Sequence, residues 1–209
     1  VVVSLSNGGN VDATEVTSGL KNSYVHGMGG SLVTGDSQTF TMAGSDTLGF
    51  SIVGENGNAG ADIQVGQVGG NITDAAIVLT GGKYESKQVN VQSGLLEIAQ
   101  NTVLGTTDSM LTVGVSNGSG NTVAASVNNR GTINNDVTIN SGASLDNRNT
   151  VNGNVLVNGS SILSNNGTVK GEVTIAENGS VNGSGTFAST ILQSNALSAI
   201  VRDSSSTMI

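Results

Sequence analysis

Short runs of alternating apolar and polar residues recur along the C-terminal half of the chain. Residues 137–139 and 173–175 both read Val-Thr-Ile, so each run consists of β-branched residues. Alternation with a period of two places the apolar side chains on one face of a β-strand. Helical spacing of apolar residues is not sustained in this region. The pattern therefore predicts short strands, separated by Asn-Gly, Gly-Ser and Asn-Asn turns.

These runs repeat every 18 residues from Val127 onward. Strands this short are stable only if each one pairs with its counterpart in the next repeat. The repeat predicts an all-β fold, a parallel β-solenoid (β-helix) with coils of about 18 residues in the C-terminal half and about 4.8 Å between neighbouring coils. The columns that share this interval are Val127, Leu145, Leu163 and Val181; Ile133, Val151, Val169 and Phe187; Val137, Val155, Val173 and Ile191; Ile139, Val157 and Ile175; and Thr132, Thr150, Thr168 and Thr186.

Less regular copies of the same pattern precede the repeats. Residues 89–96 resemble residues 137–145, and short apolar runs between Gly-rich turns continue back to about residue 30. We therefore expect four regions. Residues 1–30 form an N-terminal apolar strand and a Gly-rich segment, 31–125 irregular solenoid coils, 126–190 the regular 18-residue repeats, and 191–209 a C-terminal apolar edge or capping segment.

Residues 166–175, with the sequence Asn-Gly-Thr-Val-Lys-Gly-Glu-Val-Thr-Ile, resemble the passenger repeats of bacterial autotransporters and related β-helical adhesins. The resemblance is clear over roughly residues 85–190. It is a likeness of repeat pattern and includes no catalytic motif. It implies a right-handed parallel β-helix that is exported through the outer membrane of a Gram-negative bacterium to the cell surface or the extracellular space.

The composition excludes several classes of protein. The absence of Cys removes disulfides, zinc–thiolate sites and thiol catalysis. The 15 acidic and 7 basic residues give a net charge of −8, which repels phosphate groups, so we expect no nucleic-acid partner. No run of 18 apolar residues occurs, so we expect no transmembrane helix.

Groups suited to catalysis or metal binding are few and far apart. The single histidine, His26, lies in a Gly-rich segment before the repeats. Asp136 and Glu172 share a column with Asn154, but two coils separate them by about 10 Å, which is wide even for the carboxylates of an inverting glycosidase. Calcium-binding Gly-Gly-x-Gly-x-Asp repeats are not found. We expect no catalytic residue, no metal site and no cofactor, and we expect that the chain is not an enzyme.

Two features leave ligand contact open as an interpretation. The first is a set of asparagine columns, which either stabilise turns through hydrogen bonds along the stack or form a polar, sugar-binding face. The second is the segment 83–87, which combines charges with an aromatic ring and is either a contact site or a solvated loop. The asparagine columns are Asn129, Asn147 and Asn165; Asn134 and Asn152; and Asn140 and Asn158.

Both ends of the chain are apolar, which predicts self-association. A solenoid exposes an open strand edge at each end unless that edge is capped. An apolar terminal strand either crosses into a neighbouring copy, giving a head-to-tail filament, or folds back and caps its own solenoid. The residues expected to associate are Val1, Val3, Leu5, Ile191, Leu192, Leu197, Ile200 and Val201.

Three functions fit these patterns. The first, which we expect, is a secreted structural subunit of an extracellular fibre or surface assembly, with other copies of the chain as partners. The second is a monomeric autotransporter adhesin passenger that binds a cell-surface or glycan receptor. The third is a β-helical polysaccharide-active enzyme, which the scarcity of clustered charged residues disfavours.

Overall fold

In the computed structural model, the chain is a stack of parallel β-strands. The structure describes residues 76–115 and 124–192, together with five short strands between residues 24 and 65. These parts contain no helix. Between residues 77 and 191 the strands form about 6 turns of a β-solenoid, spaced about 18 residues apart. The predicted all-β solenoid fold is therefore confirmed.

The strands lie in three stacks, which we call faces 1, 2 and 3. Face 1 contains β3 (Thr39–Ala43), β6 (Ala76–Thr80), β9 (Gly94–Ile98), β12 (Ala125–Asn129), β15 (Ser144–Asn147), β18 (Ile162–Asn165) and β20 (Ser180–Asn182). Face 2 contains β1 (Tyr24–His26), β4 (Ser51–Val53), β7 (Gly82–Tyr84), β10 (Thr102–Leu104), β13 (Thr132–Ile133) and β16 (Thr150–Val151). Face 3 contains β2 (Ser31–Thr34), β5 (Asp62–Val65), β8 (Gln88–Val91), β11 (Met110–Val113), β14 (Asp136–Ile139) and β17 (Val155–Val157). Two longer strands, β19 (Thr168–Ile175) and β21 (Thr186–Leu192), continue both face 2 and face 3.

The predicted 18-residue register holds on all three faces of the regular repeats. On face 1, Val127 pairs with Leu145, which pairs in turn with Leu163. The earlier pairings span other intervals, since Tyr84 pairs with Leu104 and Leu104 pairs with Ile133. The order of the faces along the chain stays the same through these uneven coils.

One predicted column position is wrong. Ile191 was expected beside Val173, but it pairs with Thr174, and Val173 pairs with Thr190. The register shifts by one residue between Val169 and Glu172, so residues 169–172 of β19, four in all, lie opposite the three residues 187–189 of β21. The shift puts Leu192 in register with Ile175, where an unbroken repeat would put Gln193. A one-residue slip exchanges the inward and outward sides of a strand, and Ile191 is accordingly 45% exposed.

Inward-facing side chains form one continuous aliphatic core along the axis of the stack. Val137, Val155 and Val173 all lie in it, as predicted. Tyr84 contributes a fully buried aromatic ring, and Phe187 packs against the core from the last described coil, which contains β20 and β21 and is called the last coil below. Each aliphatic side chain of this kind stabilises the fold by about 1.5–3 kcal/mol relative to its exposed state.

A column of left-handed residues forms the corner between faces 3 and 1. Gly142, Ser160 and Asn178 have φ angles of 78°, 60° and 61°, and they lie 18 residues apart. The N–H of Gly142 donates to the carbonyl of Ser160 at 3.0 Å, and the N–H of Ser160 donates to the carbonyl of Asn178 at 2.8 Å. The corner therefore keeps its hydrogen bonds from coil to coil although its residue type changes.

Candidate functional site

A ladder of three asparagines runs inside the stack at the corner between faces 1 and 2. Nδ2 of Asn129 donates to Oδ1 of Asn147 at 2.8 Å, and Nδ2 of Asn147 donates to Oδ1 of Asn165 at 2.8 Å. All three side chains are fully buried. Each asparagine ends a face 1 strand, so the repeat brings the same amide to the same place in three successive coils.

The ladder also satisfies backbone groups at this corner. Nδ2 of Asn129 donates to the carbonyl of Thr150 at 3.1 Å, and Oδ1 of Asn129 accepts the N–H of Gly131 at 3.0 Å. Nδ2 of Asn165 donates to the carbonyl of Thr186 at 3.1 Å. A buried amide that bonds within the fold cannot contact a sugar. For this column the sugar-binding interpretation is wrong, and the turn-stabilising one is confirmed.

The two shorter asparagine columns also form hydrogen bonds between coils. Nδ2 of Asn152 donates to Oδ1 of Asn134 at 2.7 Å, and Nδ2 of Asn158 donates to Oδ1 of Asn140 at 3.0 Å. In these pairs the later coil donates to the earlier one, which is the opposite direction to the buried ladder. Their amides are thus also used to bind one coil to the next.

The acidic column on face 3 has a structural use of the same kind. Oδ1 of Asp136 accepts the backbone N–H of Asn154 at 2.7 Å, and Oδ1 of Asn154 accepts the N–H of Glu172 at 2.9 Å. A side-chain oxygen at this position therefore accepts the backbone N–H of the equivalent residue in the next coil. The described residues include no group of three or more His, Cys, Asp or Glu placed to hold a metal ion.

Segment 83–87 does not present its aromatic ring to solvent. Tyr84 is fully buried in the core column of face 2, and its hydroxyl donates to the carbonyl of Thr80 at 3.1 Å. Burial raises the pKa of this phenol well above its usual range, and the hydrogen bond to Thr80 offsets only part of the effect. Lys83 and Lys87 remain exposed. The interpretation of segment 83–87 as a contact site with an exposed aromatic ring is therefore wrong, because the ring of Tyr84 belongs to the core.

Two further polar features were missed in the sequence. Arg148 binds Asp146 through Nε and Oδ2 at 2.9 Å, an exposed pair of the kind that contributes little to stability. Asn135 is buried, and neither its Oδ1 nor its Nδ2 has a hydrogen-bond partner in the part of the chain that the structure describes. The equivalent residues of the next two coils are Gly153 and Gly171. This change from asparagine to glycine within one column is the sequence signal that could have marked position 135.

The last coil carries the described part of the predicted self-association site. Strands β20 and β21 pair with β18 and β19 on one side, and no other described strand pairs with them. Ile191 projects from β21 and is 45% exposed, while Leu192 is the final residue of that strand. The remaining predicted residues lie outside the described part of the chain: Val1, Val3, Leu5, Leu197, Ile200 and Val201.

Comparisons with protein families, with curated proteins and with solved structures found no match for this chain. Within the described ranges, no helix is long and apolar enough to cross a membrane. The features that bear on function are therefore the polar columns along the sides of the stack and the strand edges of its last coil.

Proposed function

We propose that the chain is a secreted structural subunit of an extracellular fibre or surface assembly, built by end-to-end association of its β-solenoid. The edge of the last coil supports the proposal most directly. Its strands, β20 and β21, have a partner on one side only among the described residues. The N–H and C=O groups along such an edge favour addition of another strand.

The geometry of the stack suits a second copy as that partner. Every strand pairing between the described coils is parallel, so a coil from another copy in the same orientation continues the existing pattern. The corner bonds cross from one coil to the next in the same way, as between Ser160 and Asn178. A contact between unlike ends generates an open filament when its rotation does not close.

The outward side chains of the stack differ in polarity from one position to another. Ile191 adds apolar area at the last coil, whereas the outward column of face 2 is made of hydroxyl residues. This column consists of Thr132, Thr150, Thr168 and Thr186. Burying an apolar residue stabilises a contact, and burying a hydroxyl without a partner opposes it. Lateral contact through the threonine column is therefore disfavoured, whereas Met110 and Ile162 expose apolar area elsewhere on the sides of the stack.

The proposal places the fibre at the cell surface or in the extracellular space, in keeping with the resemblance to autotransporter passengers. The chain acts there by assembly and without catalysis. Its net charge of −8 makes like copies repel one another, and salt screens that repulsion. Assembly is accordingly faster at high salt.

The threonine column favours a second candidate, a monomeric adhesin passenger that binds cells or glycans through its side. The column repeats one hydroxyl per coil, and Oγ1 of Thr186 donates to Oγ1 of Thr168 at 3.1 Å. A regular row of hydroxyl groups offers repeated hydrogen-bonding positions to a polymer of sugars. In this alternative the terminal edges are capped within the chain.

Two variants test the fibre proposal, with light scattering and analytical sedimentation as the measurements. Removing residues 1–5 is expected to abolish assembly, and Ile191→Ser to slow it, with the circular dichroism of the solenoid unchanged in both. Met110→Ser is the matched control, because Met110 is 45% exposed but lies in β11, which has a paired strand on both sides. Unchanged assembly of the truncated chain, or a monomeric full chain at high concentration and high salt, favours the adhesin instead.

A further inference from the structure

The described part of the chain contains five Asn-Gly pairs, a dipeptide that can modify itself. Because glycine has no side chain, its own backbone nitrogen is sterically open and can attack the side-chain amide of the asparagine that precedes it. Whether it does so in a folded protein depends on how firmly both groups are held. The pairs begin at Asn152, Asn158, Asn166, Asn178 and Asn182.

In two of these pairs the asparagine side chain is held by the preceding coil. Nδ2 of Asn152 donates to Asn134 at 2.7 Å, and Nδ2 of Asn158 donates to Asn140 at 3.0 Å. The side-chain nitrogen that would have to leave is therefore hydrogen-bonded, which restrains the rotation of the side chain that would bring Cγ to the attacking nitrogen. Attack requires that this hydrogen bond first break.

In two other pairs the attacking nitrogen is engaged. The N–H of Gly167, which follows Asn166, donates to Oδ1 of Asn165 at 3.2 Å. The N–H of Gly179, which follows Asn178, donates to the carbonyl of Ala176 at 2.9 Å and belongs to a buried residue. Attack by either nitrogen requires that its hydrogen bond first break.

The fifth pair lacks both restraints. The side chain of Asn182 is exposed and has no hydrogen-bond partner among the described residues. Gly183 is exposed as well, and its N–H has no acceptor in that part of the chain. Its φ of 108° lies in a region that only glycine adopts readily, so it ends the strand and leaves the ladder. We propose that Asn182-Gly183 is a self-modification site, at which the chain converts asparagine to aspartate and isoaspartate with water as the co-reactant.

The reaction proceeds in two balanced steps. The backbone nitrogen of Gly183 loses its proton and forms a bond to Cγ of Asn182, and the side-chain nitrogen leaves as ammonia. Water then opens the resulting five-membered imide ring. Addition at Cγ gives aspartate, and addition at the main-chain carbonyl gives isoaspartate, whose backbone contains one additional methylene group.

The position of the pair gives the reaction a structural consequence. Asn182 ends β20, the last described strand of face 1, and Gly183 packs so closely that a Cβ there would overlap the carbonyl of Asn165. Lengthening the backbone at this step displaces Gly183 from that contact. Isoaspartate therefore loosens the last coil and leaves the earlier coils intact.

Peptide mapping by mass spectrometry tests the site, on full-length protein incubated at neutral pH in water enriched in heavy oxygen. We expect label to enter at position 182 at least about fivefold faster than at the other four pairs, since each of those must break a hydrogen bond first. An isoaspartyl methyltransferase assay should detect isoaspartate in the same peptide. In Asn182→Gln the label should be lost at 182 and unchanged elsewhere.

Two arms separate protection by the fold from local sequence. In concentrated urea the five pairs should react at similar rates. In Asn134→Ala, which frees the amide of Asn152, the rate at 152 should rise severalfold while that at 158 stays constant. A rate at 182 no higher than at the other pairs, or the same ranking of sites in urea as in the native protein, would overturn the proposal.

Discussion

Asn147 donates a hydrogen bond from Nδ2 to Oδ1 of Asn165, 2.8 Å away and one coil farther along the stack. Both side chains are fully buried. Amide groups can enter an aliphatic interior at little cost only when their hydrogen bonds are made there. The 18-residue repeat ensures this, because each asparagine meets an identical neighbour in the adjacent coil.

Replacing the middle asparagine of this ladder should lower stability sharply. Asn147→Ala removes both ladder bonds, so Nδ2 of buried Asn129 keeps only its bond to the carbonyl of Thr150, and Oδ1 of buried Asn165 keeps only the N–H of Gly167. We expect the free energy of unfolding to fall by about 2–4 kcal/mol. Chemical denaturation followed by circular dichroism measures the change. Asn182→Ala is the control, since that side chain is exposed and should change stability by less than about 0.5 kcal/mol; equal losses in both variants would contradict the ladder's role.

Two glycines should respond to alanine for different reasons. At Gly142 the space around a Cβ is open, but φ is 78°, so Gly142→Ala should cost about 1–2 kcal/mol through the backbone alone. At Gly153 a Cβ would overlap the backbone of Asn135 in the preceding coil, so Gly153→Ala should cost about 2–3 kcal/mol or more. Urea unfolding midpoints compare them. A smaller loss at Gly153 than at Gly142 would show that the coils are less tightly stacked there.

The repeat pattern was enough to predict the fold and most of the core. Columns such as Val127–Leu145–Leu163 are visible in the sequence because stacking repeats the same surroundings every 18 residues. The orientation of polar residues was harder to predict, since an inward and an outward asparagine have the same spacing. The ring of Tyr84 was misplaced for a similar reason, because its charged neighbours suggested a surface loop.

The shift in the last coil depends on competition between whole strands. An unbroken register would put Ile191 beside Val173 and Gln193 beside Ile175. The observed register gives up the contact of Ile191 and brings Leu192 to Ile175. The repeat length alone does not predict which of the two registers is more stable, because the stability of each depends on the contacts of several residues at once.

The exposed position of Ile191 predicts a mild mutation. Ile191→Ala should change the free energy of unfolding by less than about 0.5 kcal/mol, as expected for a surface site. Ile175→Ala, at a fully buried isoleucine of the preceding coil, should cost about 2–5 kcal/mol. Denaturant midpoints of the two variants give the comparison. A large loss at Ile191 would mean that it lies inside the core, as the unbroken repeat had predicted.

The buried phenol of Tyr84 predicts a loss of stability in alkali. Its pKa is raised in the folded state, mainly by burial, so the folded protein holds this proton more tightly than the unfolded chain does. The associated stability is complete below about pH 10, the ordinary pKa of tyrosine, and declines as the pH rises above it. Unfolding midpoints measured up to strongly alkaline pH should fall less steeply in Tyr84→Phe. Equal dependence of the unfolding midpoint on pH in the two proteins would show that Tyr84 is not the source of the alkaline loss of stability.

Fibre diffraction from concentrated full-length protein, combined with electron microscopy of the same sample, tests end-to-end assembly most directly. Coils that continue from one copy into the next should give unbranched filaments with an axial reflection at about 4.8 Å, strengthened by added salt. Dispersed single particles at high concentration and high salt, with no axial reflection, would contradict the fibre.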